Sequence, residues 1–104
     1  MTFAKVAKVE DLKPNTSKAV DAGGKSIAIF NVDGKFYAID QTCPHKGGPL
    51  AEGTVEDMSV QCPWHGAIFS LETGTGISGP CGNGVHSYQT RVTGDDLEVD
   101  VGDD

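Results

Sequence analysis

The chain has 104 residues, enough for one domain with a modest core and too few for two independent cores. Its 15 acidic residues outnumber its 8 basic ones, and the formal charge of −7 argues against nucleic acid or an anionic membrane surface as a partner. The sequence contains no apolar run near the ~18 residues of a membrane span and begins without the apolar stretch of a secretory signal, so we expect a cytoplasmic protein. Nothing in the sequence indicates more than a monomer.

Short runs of β-branched and aromatic residues, separated by 14 glycines and 5 prolines, predict a β-rich domain. In the first forty residues the strongest feature is a hairpin around Asp33-Gly34, a favourable two-residue turn. Ile27, Ile29 and Val32 before this turn are candidate core residues. The predicted elements are strands at 3–9, 18–20, 25–32 and 35–40, with a brief helical turn at 9–14.

The middle of the chain is predicted to consist mainly of loops. The predicted elements are a loop at 41–53, a weak strand pair at 54–61 turning around Glu56-Asp57, a tight loop at 62–66, a strand at 67–71, a turn at 72–74 and a third loop at 76–84. A last hairpin is predicted from strands 88–92 and 97–101. We therefore expect one all-β domain over 1–104. Its antiparallel sheet base would be formed by 1–40 and 83–104, and a smaller loop-rich insertion by 41–82.

Two loops of the insertion carry paired metal ligands. Cys43-Pro44-His45 and Cys62-Pro63-Trp64-His65 give the pattern C-x-H, sixteen residues, C-x-x-H. Each loop thus offers one thiolate and one imidazole, through Cys43 and His45 in the first and Cys62 and His65 in the second. Two such loops can place both thiolates on one iron and both imidazoles on the other, which is the ligation of a Rieske [2Fe–2S] centre. The same four ligands could also bind zinc, although structural zinc sites usually present a Cys pair followed by a His pair.

The segments 43–50 and 62–66 resemble those of the Rieske ferredoxin family. The preceding residues 33–40 are similar to the family's strand that enters the first cluster loop. Glu72-Thr73-Gly74 followed by Gly79-Pro80 resembles its proline loop. The resemblance implies the Rieske iron–sulfur fold and one [2Fe–2S] cluster held by the four ligands. It also implies a soluble one-electron carrier between a flavin-dependent ferredoxin reductase and a terminal Rieske oxygenase, as in bacterial aromatic-ring dioxygenase systems.

Departures from the respiratory Rieske proteins point to a low reduction potential. Gly48 and Trp64 stand where those proteins carry a disulfide, and Ala67 and Phe69 stand where they place Ser and Tyr hydroxyls near the cluster. Fewer hydrogen-bond donors stabilise the reduced cluster less. We expect a potential on the order of −150 mV rather than +300 mV.

The remaining residues do not suggest an enzyme. Cys81 is expected to fill space near the cluster, and His86 to be structural or exposed. A Rieske oxygenase needs a further iron on two histidines and a carboxylate, and His86 alone cannot supply them. The sequence also lacks a dinucleotide-binding glycine motif. Two alternatives to a free carrier stay open, namely a small Rieske subunit of a larger reductase such as a nitrite reductase, and a zinc-stabilised interaction module.

Overall fold

The computed structural model describes residues 2–42, 49–63, 66–78 and 84–102. These parts of the chain form eleven β-strands and two short 3-10 helices, at Val9–Asp11 and Leu50–Glu52. The strands are β1 Phe3–Lys8, β2 Thr16–Ala22, β3 Lys25–Val32, β4 Lys35–Asp40, β5 Thr54–Glu56, β6 Ser59–Gln61, β7 Ile68–Ser70, β8 Gly76–Ser78, β9 Ser87–Tyr88, β10 Thr90–Thr93 and β11 Asp96–Asp100. Within the described ranges, every helix is too short to cross a membrane.

All strand pairs between these elements are antiparallel and belong to three sheets. The strand orders are β1-β11-β10, β2-β3-β4-β9 and β5-β6-β7-β8. The first two sheets are built from the chain before residue 41 and after residue 86, and the third is built entirely from residues 54–78. The all-β, antiparallel fold predicted from the sequence is confirmed.

The β3–β4 hairpin is formed as predicted, with the predicted strand bounds. Asp33 and Gly34 at its turn have φ values of 53° and 92°, and positive φ at both positions matches the twist of the flanking strands. The Asn31 side chain stabilises this end of the hairpin. Its Oδ1 accepts a hydrogen bond from Gly34 N–H at 2.8 Å, and its Nδ2 donates to the Leu12 carbonyl at 2.8 Å.

The β3–β4 hairpin separates two hydrophobic cores because successive side chains of a strand point to opposite faces. Ile27 and Ile29 of β3 pack into a base core with the first sheet. Ala28 and Phe30, the intervening residues, pack into a second core with residues of the insertion, which we call the loop-side core. Val32, the third residue predicted for the core, is partly buried against this cluster. The loop-side core contains Ala28, Phe30, Ile39, Leu50, Ala51, Val60, Cys62, Ala67, Phe69 and Leu71.

The insertion contains more regular structure than the sequence predicted. Residues 76–78 were expected to begin a loop, but they form β8 because their backbone pairs with β7, where Phe69 lies opposite Gly76. β5 and β6 form the strand pair that was predicted over 54–61. The turn between them lies at Asp57 and Met58, both with positive φ, one residue later than predicted.

The prediction of one strand over 88–92 was also wrong, because Gln89 separates two strands there. Ser87 and Tyr88 pair with β4 in the second sheet, whereas residues 90–93 pair with β11 in the first. The strand expected at 18–20 is longer, because β2 pairs with β3 along its whole length, from Thr16 to Ala22. The division of the chain into base and insertion at residues 41 and 82 stays a prediction.

Candidate metal centre

Cys62 lies at the buried start of the second ligand loop, and a hydrogen bond joins the two ends of that loop. It follows β6, is only 2% exposed and belongs to the loop-side core. Its backbone N–H donates a hydrogen bond of 2.7 Å to the Ala67 carbonyl, which closes the loop between them. Gly66 has φ +71°, a conformation that glycine adopts without the steric cost of a side chain. The second ligand loop therefore begins and ends on fixed backbone.

The first ligand loop is also closed at its ends. Thr42 and Pro49 form an isolated antiparallel bridge across it. The Gln41 carbonyl accepts a hydrogen bond from Leu50 N–H at 2.8 Å, and the Gln41 side-chain oxygen accepts one from Ala51 N–H at 2.9 Å. One glutamine thus joins the two ends of the loop through both its main chain and its side chain.

A close backbone contact joins the two ends of the segment that contains the third loop. Val85 N–H donates a hydrogen bond of 2.7 Å to the Gly74 carbonyl. Gly84 lies against the same carbonyl, where an added β-carbon would be 2.5 Å from the oxygen. Gly79-Pro80 and Cys81, the residues predicted for the covering loop, lie outside the described residues.

The ends of all three loops meet on the loop-side core. Leu50 and Ala51 follow the first loop, Cys62 and Ala67 flank the second, and Val85 after the third packs against the same cluster. Burial of these apolar side chains in one cluster holds the loop ends together. Of the four predicted ligands, the structure places Cys62 at this junction. Cys43, His45 and His65 lie outside the described residues, so the full ligand set stays a prediction.

Sequence reasoning missed a polar group beside the first ligand loop. Asp40, the last residue of β4, accepts a hydrogen bond from the Tyr88 hydroxyl at 2.5 Å and one from the His86 N–H at 2.9 Å. Burial, followed by the hydrogen bond to Asp40 and its negative charge, raises the pKa of Tyr88 above its usual value near 10, so Tyr88 is a neutral donor. The pairing joins positions 48 residues apart, and only the fold reveals it.

His86 is exposed, as expected. Its ring lies 4.9 Å from the ring of Tyr88, centroid to centroid, on the surface beside the end of β4.

The profile of the Rieske [2Fe-2S] domain matches residues 2–89 of the chain. The chain belongs to the Rieske family. It is 41% identical over 76 residues to the 3-phenylpropionate/cinnamic acid dioxygenase ferredoxin subunit of Escherichia coli K12, and the match covers 72% of each chain. It also resembles a chain in the solved complex of reduced oxygenase and oxidized ferredoxin of carbazole 1,9a-dioxygenase. That likeness has a TM-score of 0.85 and 32% identity, and it covers 93% of this chain and 91% of the other.

The chain also matches part of a much larger Rieske protein. It is 34% identical over 89 residues to human apoptosis-inducing factor 3, covering 86% of this chain but only 15% of that protein. The likeness is therefore limited to the Rieske domain, whereas the dioxygenase ferredoxins match most of their own length. The chain's Rieske domain is homologous to dioxygenase ferredoxin components.

The cofactor of this Rieske domain is one [2Fe–2S] cluster, as the sequence predicted, and the zinc alternative is not supported. The described residues fit such a group. Cys62 supplies a buried thiol at the end of a closed loop, and the ends of the first ligand loop rest on the same core. Both ligand segments have the donor composition of a Rieske centre, a thiolate and an imidazole each.

Proposed function

We propose that this Rieske ferredoxin is a one-electron carrier, with Cys43, His45, Cys62 and His65 as the ligands of its cluster. The junction of the ligand loops on the loop-side core carries this proposal. When bound, the cluster accepts and releases one electron at a time. The protein's part is to hold the ends of the two loops together on the loop-side core, which limits the reorganisation that accompanies the change of charge.

We further propose that the carrier passes electrons from a flavin-dependent ferredoxin reductase to a terminal Rieske oxygenase. The similarity to ferredoxins of dioxygenase systems supports this order, and the carbazole dioxygenase complex contains both an oxygenase and a ferredoxin. The net charge of −7 favours partners whose docking faces are basic. The protein would act as a cytoplasmic monomer.

The protein is proposed to transfer electrons without catalysing oxygenation itself. The sequence contains three histidines, and two are assigned to the cluster. The remaining His86 is exposed and lies beside Tyr88, and one histidine cannot build the two-histidine, one-carboxylate iron site of an oxygenase.

The ligand assignment is tested by analysing iron, acid-labile sulfide and the electron paramagnetic resonance (EPR) spectrum of the reduced protein. We expect about two irons and two sulfides per chain, as one Rieske cluster requires. His45→Ala and His65→Ala should abolish the Rieske spectrum, and His86→Ala, the matched control at the third histidine, should retain it. A normal spectrum in either ligand variant would refute the ligand set.

Electron transfer from the protein to the oxygenase is tested in a separate mixing experiment. The reduced protein is mixed with the oxidised oxygenase of a dioxygenase system, and the cluster absorbance is followed in a stopped-flow instrument. Reoxidation dependent on the oxygenase supports the proposed role, and a reduced protein that stays reduced at all oxygenase concentrations argues against it. Because this test uses protein already shown to hold its cluster, its failure leaves the ligand assignment intact.

A further inference from the structure

Asp40 connects the chain before the first ligand loop with the chain after the third loop. Its Oδ2 accepts the His86 N–H at 2.9 Å, and its Oδ1 accepts the Tyr88 hydroxyl at 2.5 Å. Its own N–H donates to the His86 carbonyl at 3.0 Å. Three hydrogen bonds from one residue therefore continue the pairing of β4 with β9 to the last residue of β4.

The position of Asp40 in the fold gives its hydrogen bonds a larger role than continuing the pairing of β4 with β9. Asp40 lies three residues before Cys43, and His86 lies two residues after Gly84, where the third loop ends. Directly after Asp40, Gln41 fixes the two ends of the first ligand loop through its main chain and its side chain. The hydrogen bonds of Asp40 thus connect the 84–88 segment to the backbone that enters the first ligand loop.

The carboxylate is well anchored for such a role. Both of its oxygens have a donor, and hydrogen bonds to a charged acceptor are shorter and stronger than neutral ones. Tyr88 is half-buried and is further held by pairing opposite Ala38. The ammonium group of Lys25 lies 5.8 Å from the centre of the Tyr88 ring, and it also donates to the Val101 carbonyl at 2.7 Å.

We propose that Asp40 is a positioning residue that sets the placement of the first ligand loop relative to the third loop, and so the environment of the cluster. The proposal rests on the ligand assignment made above. It requires that the hydrogen bonds of Asp40 matter more than its charge, and three substitutions separate these two contributions.

Asp40→Asn removes the charge but keeps one acceptor for His86 N–H and an amide that can bond the Tyr88 oxygen. Tyr88→Phe keeps the charge and removes one hydrogen bond. Asp40→Ala removes the charge and both side-chain hydrogen bonds of Asp40. If Asp40 acts by position, Asp40→Ala and Tyr88→Phe should broaden the EPR lines of the reduced cluster, whereas Asp40→Asn should stay close to the wild type.

The matched control is Thr90→Val. Thr90 donates a hydrogen bond of 2.8 Å from its hydroxyl to the Phe36 carbonyl, near the other end of β4 and about 13 Å from Asp40 along the strand. Thr90→Val removes this hydrogen bond to β4 but affects neither the first nor the third loop. The EPR spectrum of the reduced cluster should therefore not change.

Hydrogen exchange of the His86 amide gives a second measurement that needs no cluster. In Asp40→Ala this amide should exchange about tenfold faster or more, because its charged acceptor is gone. If Asp40→Ala fails to fold, Asp40→Asn and Tyr88→Phe decide the question by the same measurements.

Two results would overturn the proposal. In one, the spectra and exchange rates of all three variants match the wild type. In the other, Asp40→Asn and Asp40→Ala change the spectrum equally while Tyr88→Phe does not, so that the charge alone acts. A wild-type protein without a Rieske spectrum would instead refute the ligand assignment, and the exchange of His86 would still report on the connection itself.

Discussion

Gly84 lies so close to the carbonyl oxygen of Gly74 that a β-carbon on Gly84 would be 2.5 Å from that oxygen. The N–H of the next residue, Val85, donates to the same oxygen at 2.7 Å. This contact brings together the two ends of the segment that contains the third loop, and it depends on the absence of a side chain.

Gly84→Ala should therefore destabilise the protein by about 3 kcal/mol or more. The φ of +81° at Gly84 costs an alanine about 1–2 kcal/mol, and the contact with Gly74 adds to that cost. Gly24→Ala is the matched control, because Gly24 has φ +75° and no atom within 4 Å of an added β-carbon. Denaturant unfolding of both variants checks the difference. Equal losses of stability would show that the close contact has no energetic importance.

Gln41→Ala should destabilise the first ligand loop by about 1–3 kcal/mol, because Ala51 N–H loses its acceptor in a mostly buried place. Gln41→Glu keeps a side-chain oxygen at this position and should lose less. The measurement is the rate of cluster loss to an iron chelator, together with the free energy of unfolding. If both variants lose the cluster at the wild-type rate, the side chain of Gln41 does not stabilise the loop.

The local elements could be predicted because their signals lie next to each other in the chain. Asp33-Gly34 specified the β3–β4 hairpin, and the alternation of Ile27 and Ile29 with Ala28 and Phe30 is that of a strand. The sequence pattern placed Ile27 and Ile29 in a core, but it did not reveal that Ala28 and Phe30 are equally buried against the insertion. A strand buried on both faces loses the polar alternation that distinguishes its two sides.

Pairings between distant residues could not be predicted. β8 forms because Gly76 meets Phe69, and Tyr88 joins β4 rather than the last hairpin because its hydroxyl and main chain meet Asp40 and Ala38. At the candidate site, the two Cys-His motifs predicted a Rieske-type cluster, and the resemblance of segments 43–50 and 62–66 predicted the family. The hydrogen bonds that hold the loop ends, such as that between Gln41 and Ala51, carry no comparable motif.

Asp100→Asn should weaken the protein at neutral pH and have little effect at acid pH. The Asp100 carboxylate accepts hydrogen bonds from Gly102 N–H at 2.9 Å and Thr2 N–H at 3.1 Å, and the bond from Gly102 is the main cause that lowers its pKa below the usual 3.8. A lowered folded-state pKa gives stability that is present above the usual pKa and is lost as pH falls through the folded-state value.

The measurement is the free energy of unfolding of Asp100→Asn and wild type between pH 2 and pH 7. The two curves should converge below about pH 4. Parallel curves for Asp100→Asn would show that the two hydrogen bonds do not depend on its charge.

The rate of electron transfer to the oxygenase should fall as ionic strength rises. The protein carries a net charge of −7, and attraction between its acidic surface and a basic partner face is screened over about 10 Å at 0.1 M salt. Stopped-flow rates measured from low to high salt, with the cluster content held constant, check this. A flat dependence would remove electrostatic attraction from the docking of the two proteins.

Phe69→Tyr should raise the reduction potential, since a hydroxyl would be added at the position where the resemblance to respiratory Rieske proteins implies a donor to the cluster. Phe69 is fully buried in the loop-side core that also contains Cys62. The rise equals the difference in strength of the new hydrogen bond between the reduced and the oxidised cluster, and each ~1.4 kcal/mol of this difference is about 59 mV for one electron. Phe30→Tyr is the matched control, because Phe30 is equally buried in the same core but lies on β3. Redox titration of both variants should show the rise in Phe69→Tyr alone. If both potentials equal that of the wild type, the missing hydroxyl at residue 69 does not lower the reduction potential as predicted.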